Sequence, residues 1–120
     1  MLLTQNQKVA IESALSEKYG TKGEDFDLTF VKYKSKEYAF AVKVASRLTF
    51  SHWKKQNEQK NTDTFKNEYN FVLDCLITDV DGVEGLESFK KIAEERALLQ
   101  TKLGNMIIEM MTSGVDIKKD

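Results

Sequence analysis

Proline is absent from this chain of 120 residues, where an average usage of ~5% would place about six. Arginine is nearly absent too, since 16 of the 18 basic residues are lysine. Together with recurrent Asn and Lys through the middle of the chain, this points to an AT-rich coding genome, a compositional trait with no functional content. The lone cysteine, Cys75, excludes an internal disulfide framework and a multi-cysteine zinc site. The lone histidine, His52, excludes a His-rich metal site and most His-dependent proton relays. Charge of either sign is not in excess: 18 basic residues stand against 19 acidic, for a net charge of −1. That excludes a generic polycation that binds nucleic acid by charge alone, and it gives little drive toward anionic membranes. No apolar run approaches the ~18 residues of a transmembrane helix. The opening Met1-Leu2-Leu3-Thr4-Gln5-Asn6-Gln7 has neither a basic region nor an apolar stretch of signal length. The expectation is a soluble domain of a reducing compartment, with no membrane contact.

What is present suffices for a core. Hydrophobic residues make up 41% of the chain and aromatic residues 10%. The length suits a single domain spanning residues 1–120, which buries roughly 65% of the surface its unfolded chain exposes.

The first segment, 1–20, reads as a helix. Thr4 and Gln7 have the spacing of a capping box. Val9, Ile11, Ala14, Leu15 and Tyr19 supply a mostly apolar stripe, and Gly20 is a natural terminator. Residues 26–44 read as a hairpin. Phe26, Leu28 and Phe30 alternate with Asp27 and Thr29. Beyond the polar break at Lys34-Ser35-Lys36, Tyr38, Phe40, Val42 and Val44 alternate with Ala39, Ala41 and Lys43. One face should pack on helices, because an isolated hairpin is marginal in water. An exposed edge strand would also invite pairing with a second copy of the chain.

Residues 46–112 read as helical. Ser46 or Thr49 caps a helix carrying Leu48, Phe50 and Trp53 that fades in the polar run Lys54 to Lys60. The next helix starts at Thr62 or Asp63, presents Phe65, Tyr69, Val72, Leu73, Leu76 and Ile77, and ends near Asp79 to Gly82. Glu84 to Arg96 follows, with Leu86, Phe89, Ile92 and Ala93 inward. Leu98 to Thr112 closes the series, stopped by Gly114 and followed by a charged tail over 113–120 that frays. The fold class is therefore α+β: an N-terminal helix, one antiparallel hairpin, then four packed helices.

Four constellations bear on function. Asp79, Asp81, Gly82 and Glu84 look like part of a calcium loop, but a third ligand before the glycine is missing and the twelfth position is Lys90, not Glu. A helix-to-helix turn is the better reading. Arg47, His52, Trp53, Lys54 and Lys55 have the residue types of a nucleic-acid contact; they read better as a core anchor with a solvated basic face. Cys75 sits among apolar residues far in sequence from His52 and reads as a small buried hydrophobe. No phosphate loop, nucleophile elbow or dinucleotide fingerprint is present. Met106, Met110 and Met111, with Ile107 and Ile108, read either as core or as an adaptable partner surface. Catalytic, metal and cofactor residues are expected to be none.

From Tyr38 to about Gly114 the order of features resembles the tail assembly chaperone-like family of small phage proteins. The features are Tyr38-Ala39-Phe40-Ala41-Val42 leading into Ser46-Arg47, the aromatic anchors Phe50 and Trp53, and Phe71-Val72-Leu73-Asp74-Cys75-Leu76. An acidic turn follows, then Leu86 to Phe89, and a closing Leu99, Leu103, Gly104, Ile107 helix. The resemblance implies a non-enzymatic morphogenesis factor of the host cytoplasm that binds the tape-measure protein or tail-tube subunits. Phe50, Trp53, Met106, Ile107, Met110 and Met111 are the expected partner contacts. Two alternatives stay open: a phage-encoded inhibitor that covers a host protein, and a structural component of the virion.

Overall fold

A computed structural model describes residues 1–113. Helix α1 (Gln5–Tyr19) is followed by strands β1 (Phe26–Tyr33) and β2 (Lys36–Lys43). Helices α2 (Arg47–Glu58), α3 (Thr64–Cys75), α4 (Leu86–Glu95) and α5 (Leu98–Thr112) complete the chain. The fold is α+β, as expected. The expected stop at Gly114 and the tail beyond it lie outside the described residues.

Local chemistry sets the boundaries. Thr4 and Gln7 form the capping box of α1, each side chain bonding the other's backbone N–H. Gly20 ends the helix at φ +119°, a conformation that L side chains rarely adopt. Ser46 and Asp63 cap α2 and α3 through their side-chain oxygens. Both turn residues of the hairpin, Lys34 and Ser35, have positive φ, 48° and 66°. That two-residue turn matches the twist of the strands it joins, without the Asn or Gly that usually announces it.

The hairpin lies between two cores. Cross-strand partners share a face, so Phe26, Leu28, Phe30, Ala39 and Ala41 point one way. They meet Ile11 and Leu15 of α1, together with Ile77. Tyr33, Phe40 and Val42 point the other way and meet Phe71, Val72 and Cys75 of α3, Phe89 and Ile92 of α4, and Leu103 and Ile107 of α5. Phe40 and Phe89 pack edge to face with ring centroids 6.3 Å apart. Both faces are thus covered, where one was expected.

Several boundaries and faces differ from expectation. Helix α2 continues through the polar run to Glu58. Helix α3 stops at Cys75, so Leu76 and Ile77 are not part of its apolar face. Instead they turn along β2: the Ile77 N–H donates to the Ala41 carbonyl at 2.8 Å, and the Glu84 N–H donates to the Ala39 carbonyl at 2.7 Å. Residues 76–84 therefore run beside the hairpin as an irregular third lane. At Gly82, φ +92°, this lane comes so close to α1 that an added Cβ would stand 2.7 Å from Ile11 Cγ1. Val9 and Leu86, expected inward, are exposed.

Candidate functional site

The residues expected to meet a partner separate into two groups. Met106, Ile107 and Met110 are buried in the larger core. A methionine already surrounded by its own chain cannot present itself to another, so these three are core residues and not surface contacts. Their helical spacing is the same in both roles, and the sequence could not tell them apart. Phe50, Trp53 and Met111 are half-buried against that core. Trp53 stacks on Phe71 of α3 with centroids 4.5 Å apart, and Phe50 tilts against Trp53 at 5.8 Å. Trp53 Nε1 is buried and has no hydrogen-bond partner among the described residues. No residue of α2 is fully buried, so two aromatic side chains carry most of this helix's apolar attachment. Its exposed residues include Arg47, Leu48, His52, Lys54 and Lys55.

A groove of about 400 Å³ opens between α3 and α4, lined by Phe65, Tyr69, Lys90, Ala93, Glu94, Ala97 and Gln100. Phe65 was expected in the core, yet it is 52% exposed and forms one wall. Tyr69 lies behind it against Phe89, at a centroid distance of 5.6 Å. Ala93 and Ala97 form the facing wall, and their small side chains are what leave the groove open. A buried polar network fixes its floor. Gln100 Nε2 donates to the Phe65 carbonyl and to Glu68 Oε1, both at 2.8 Å, and the Thr101 hydroxyl donates to the same Glu68 oxygen at 3.0 Å. Gly104 of α5 faces Glu68 here, and an added Cβ would stand in ordinary contact with Glu68 Cγ at 3.4 Å.

The acidic turn is engaged within the chain. Asp79 accepts from Lys18 Nζ and from the Tyr19 hydroxyl, both at 2.6 Å. These bonds, Lys18 first, hold the Asp79 carboxyl below its usual range. Burial, with the Asp79 bond and charge, pushes the Tyr19 hydroxyl up to about 12. Glu84 accepts from the Ser88 hydroxyl at 3.0 Å. The turn is thus a latch between α1 and the third lane. Among the described residues, no three His, Cys, Asp or Glu side chains gather to hold a metal ion. Cys75 is buried, and burial, followed by Asp74, pushes its thiol up to about 11, which suits a hydrophobe and not a nucleophile.

Among the described residues, no helix is long and apolar enough to cross a membrane. No protein-family model, curated protein or solved structure matches the chain.

Proposed function

We propose that the chain is a non-enzymatic protein-interaction module that acts as a phage tail assembly chaperone in the host cytoplasm. In this reading it holds an amphipathic helix of the tape-measure protein until tail-tube subunits replace it. The observation that carries the reading is the α3/α4 groove, which combines apolar Phe65, Tyr69, Ala93 and Ala97 with Lys90 and Glu94. Apolar walls with charges of both signs beside them suit an amphipathic helix, which lays its apolar stripe inward and pairs its polar flanks outside. The sequence resemblance supplies the biological setting.

Co-expression with the tape-measure and tail-tube proteins of the same genome tests this. The tape-measure protein should be retained on the tagged chain and released by detergent more readily than by salt. Phe65→Glu should abolish retention and leave the circular dichroism spectrum unchanged, because Phe65 is half-exposed in the first turn of α3, where an acidic residue is tolerated. Retention of neither protein, or retention that ignores Phe65→Glu, would overturn the proposal.

A further inference from the structure

The two outer edges of the hairpin are treated differently by the fold. In an antiparallel pair, residues of the non-hydrogen-bonded pairs turn their backbone N–H and C=O groups away from the partner strand. On β2 these are Glu37, Ala39 and Ala41. The Glu37 N–H donates to the Met1 carbonyl, and the Ala39 and Ala41 carbonyls accept from Glu84 and Ile77. Their cross-strand partners on β1 are Lys32, Phe30 and Leu28, whose groups must point outward on the far side. There the Leu28 N–H is taken by the Asp27 side chain. The Phe26 carbonyl accepts from Gly23, in the loop that leads into the strand. Among the described residues, no backbone group pairs with Phe30 or Lys32 on that side.

Space is available on both faces of this edge. On one side, a hollow of about 310 Å³ is lined by Phe30, Val31, Lys32, Arg96, Leu98, Leu99 and Lys102. No residue of β2 contributes, so the hollow lies outside β1, against the start of α5. Leu98 stands there 79% exposed. On the other side, a hollow of about 250 Å³ lies between Phe30 and Gln5, Lys8, Val9 and Glu12 of α1, where Val9 is 54% exposed. A strand laid along β1 would send alternate side chains into the two hollows.

Charge tells the two sides apart. Arg96 and Lys102 line the α5 side, and no acidic residue lines it. Neither cation forms an ion pair among the described residues, while neighbouring Glu95 is already held by Lys34 and the Tyr33 hydroxyl. The first turn of α5 adds the positive end of a helix with no side-chain cap.

We infer that the outer edge of β1 binds an extended partner segment in which acidic residues alternate with apolar ones. The segment adds a third strand beside Phe30 and Lys32, with its acidic side chains on Arg96 and Lys102 and its apolar ones on Val9 and Phe30. Backbone bonds hold it, and the two hollows select it. A second copy of this chain fits poorly, because edge-to-edge pairing of β1 strands would bring two sets of Lys32, Arg96 and Lys102 together. The inference is independent of the α3/α4 groove and stands or falls separately.

A fluorescein-labelled octapeptide of alternating Glu and Val, titrated into the intact chain by anisotropy, tests it. The peptide should bind. The Lys/Val counterpart should not. Methylating every peptide amide should weaken binding at least about tenfold by removing its donors. Arg96→Glu with Lys102→Glu should weaken it by a similar factor. Lys32→Pro should abolish it, since it removes an outward N–H that the hairpin itself does not use. Each variant is checked by thermal unfolding before titration. Equal binding of the methylated peptide, or undiminished binding to folded Lys32→Pro, would overturn the inference. So would a dimer of the free chain that Lys32→Pro dissociates, because a second copy would then occupy the edge.

Discussion

β2 has outward backbone groups occupied by two pieces of its own chain, Met1 and the lane that carries Ile77 and Glu84, whereas β1, of equal length, is covered by neither. Exposed strand edges are templates for unwanted pairing, and proteins usually blunt them. Here the blunting is asymmetric. On β2 the cover is continuous with the smaller core, because Ile77 both bonds the edge and fills the space under α1. On β1 the cover among the described residues is local: charged Lys32, the Leu28 N–H donating to the Asp27 carboxylate, and the Gly23 N–H donating to the Phe26 carbonyl. The contrast teaches that one edge is part of the folding energetics, while the other keeps backbone groups of Phe30 and Lys32 unpaired among the described residues.

The comparison can be broken most forcefully at Ile77. Ile77→Ala should cost about 3 kcal/mol, the usual range for emptying a buried isoleucine site, read as a lower denaturant midpoint. Gly82→Ala should follow at about 2–3 kcal/mol, since it imposes a positive φ on an L residue and drives Cβ into Ile11. Alkaline pH sharpens the comparison through the latch that ties the third lane to α1. Tyr19 titrates near 12 in the fold, against 10 for the free side chain. Its raised value contributes stability that is complete below pH 10 and disappears as pH climbs toward 12. Asp79, held below its ordinary 3.8, adds stability present above that value and lost as pH falls through its folded one. Replacing Tyr19 by Phe should remove the alkaline part of the profile and shrink the acid part, leaving the share that the Lys18 bond supplies. On the open edge, Lys32→Pro should cost the least, about 1 kcal/mol, because its N–H lies outside the ladder and only the backbone angle of the strand is disturbed.

Much of the architecture was legible locally. The Thr4–Gln7 pair announced the start of α1, the alternation over 26–44 announced the hairpin, and apolar spacing placed α5 at Leu98–Thr112. Each depends on residues within one or two turns of each other. The third lane was not legible for a physical reason. Leu76 and Ile77 continue the three- and four-residue spacing of α3, so their periodicity says helix, yet the Leu76 N–H makes the last bond to α3 and the Ile77 N–H already goes to Ala41, in a strand more than thirty residues earlier. The methionines of α5 failed differently. Their adaptability suits a partner surface or an irregular core equally, and only the placement of α3 and β2 around them decides for the core. Phe65 was the converse, an apolar residue at an apparently inward position of α3 that the fold leaves at the rim of a groove. Nothing in its sequence neighbourhood marks it apart from Val72.

The most direct test is amide hydrogen exchange resolved at single residues in the intact chain. The amides of Glu37, Ile77 and Glu84 should be protected to nearly the global unfolding free energy, while those of Phe30 and Lys32 exchange orders of magnitude faster and slow when the acidic Glu/Val peptide is added. Equal protection on the two edges of the free chain, or fast exchange at Ile77 and Glu84, would contradict the account.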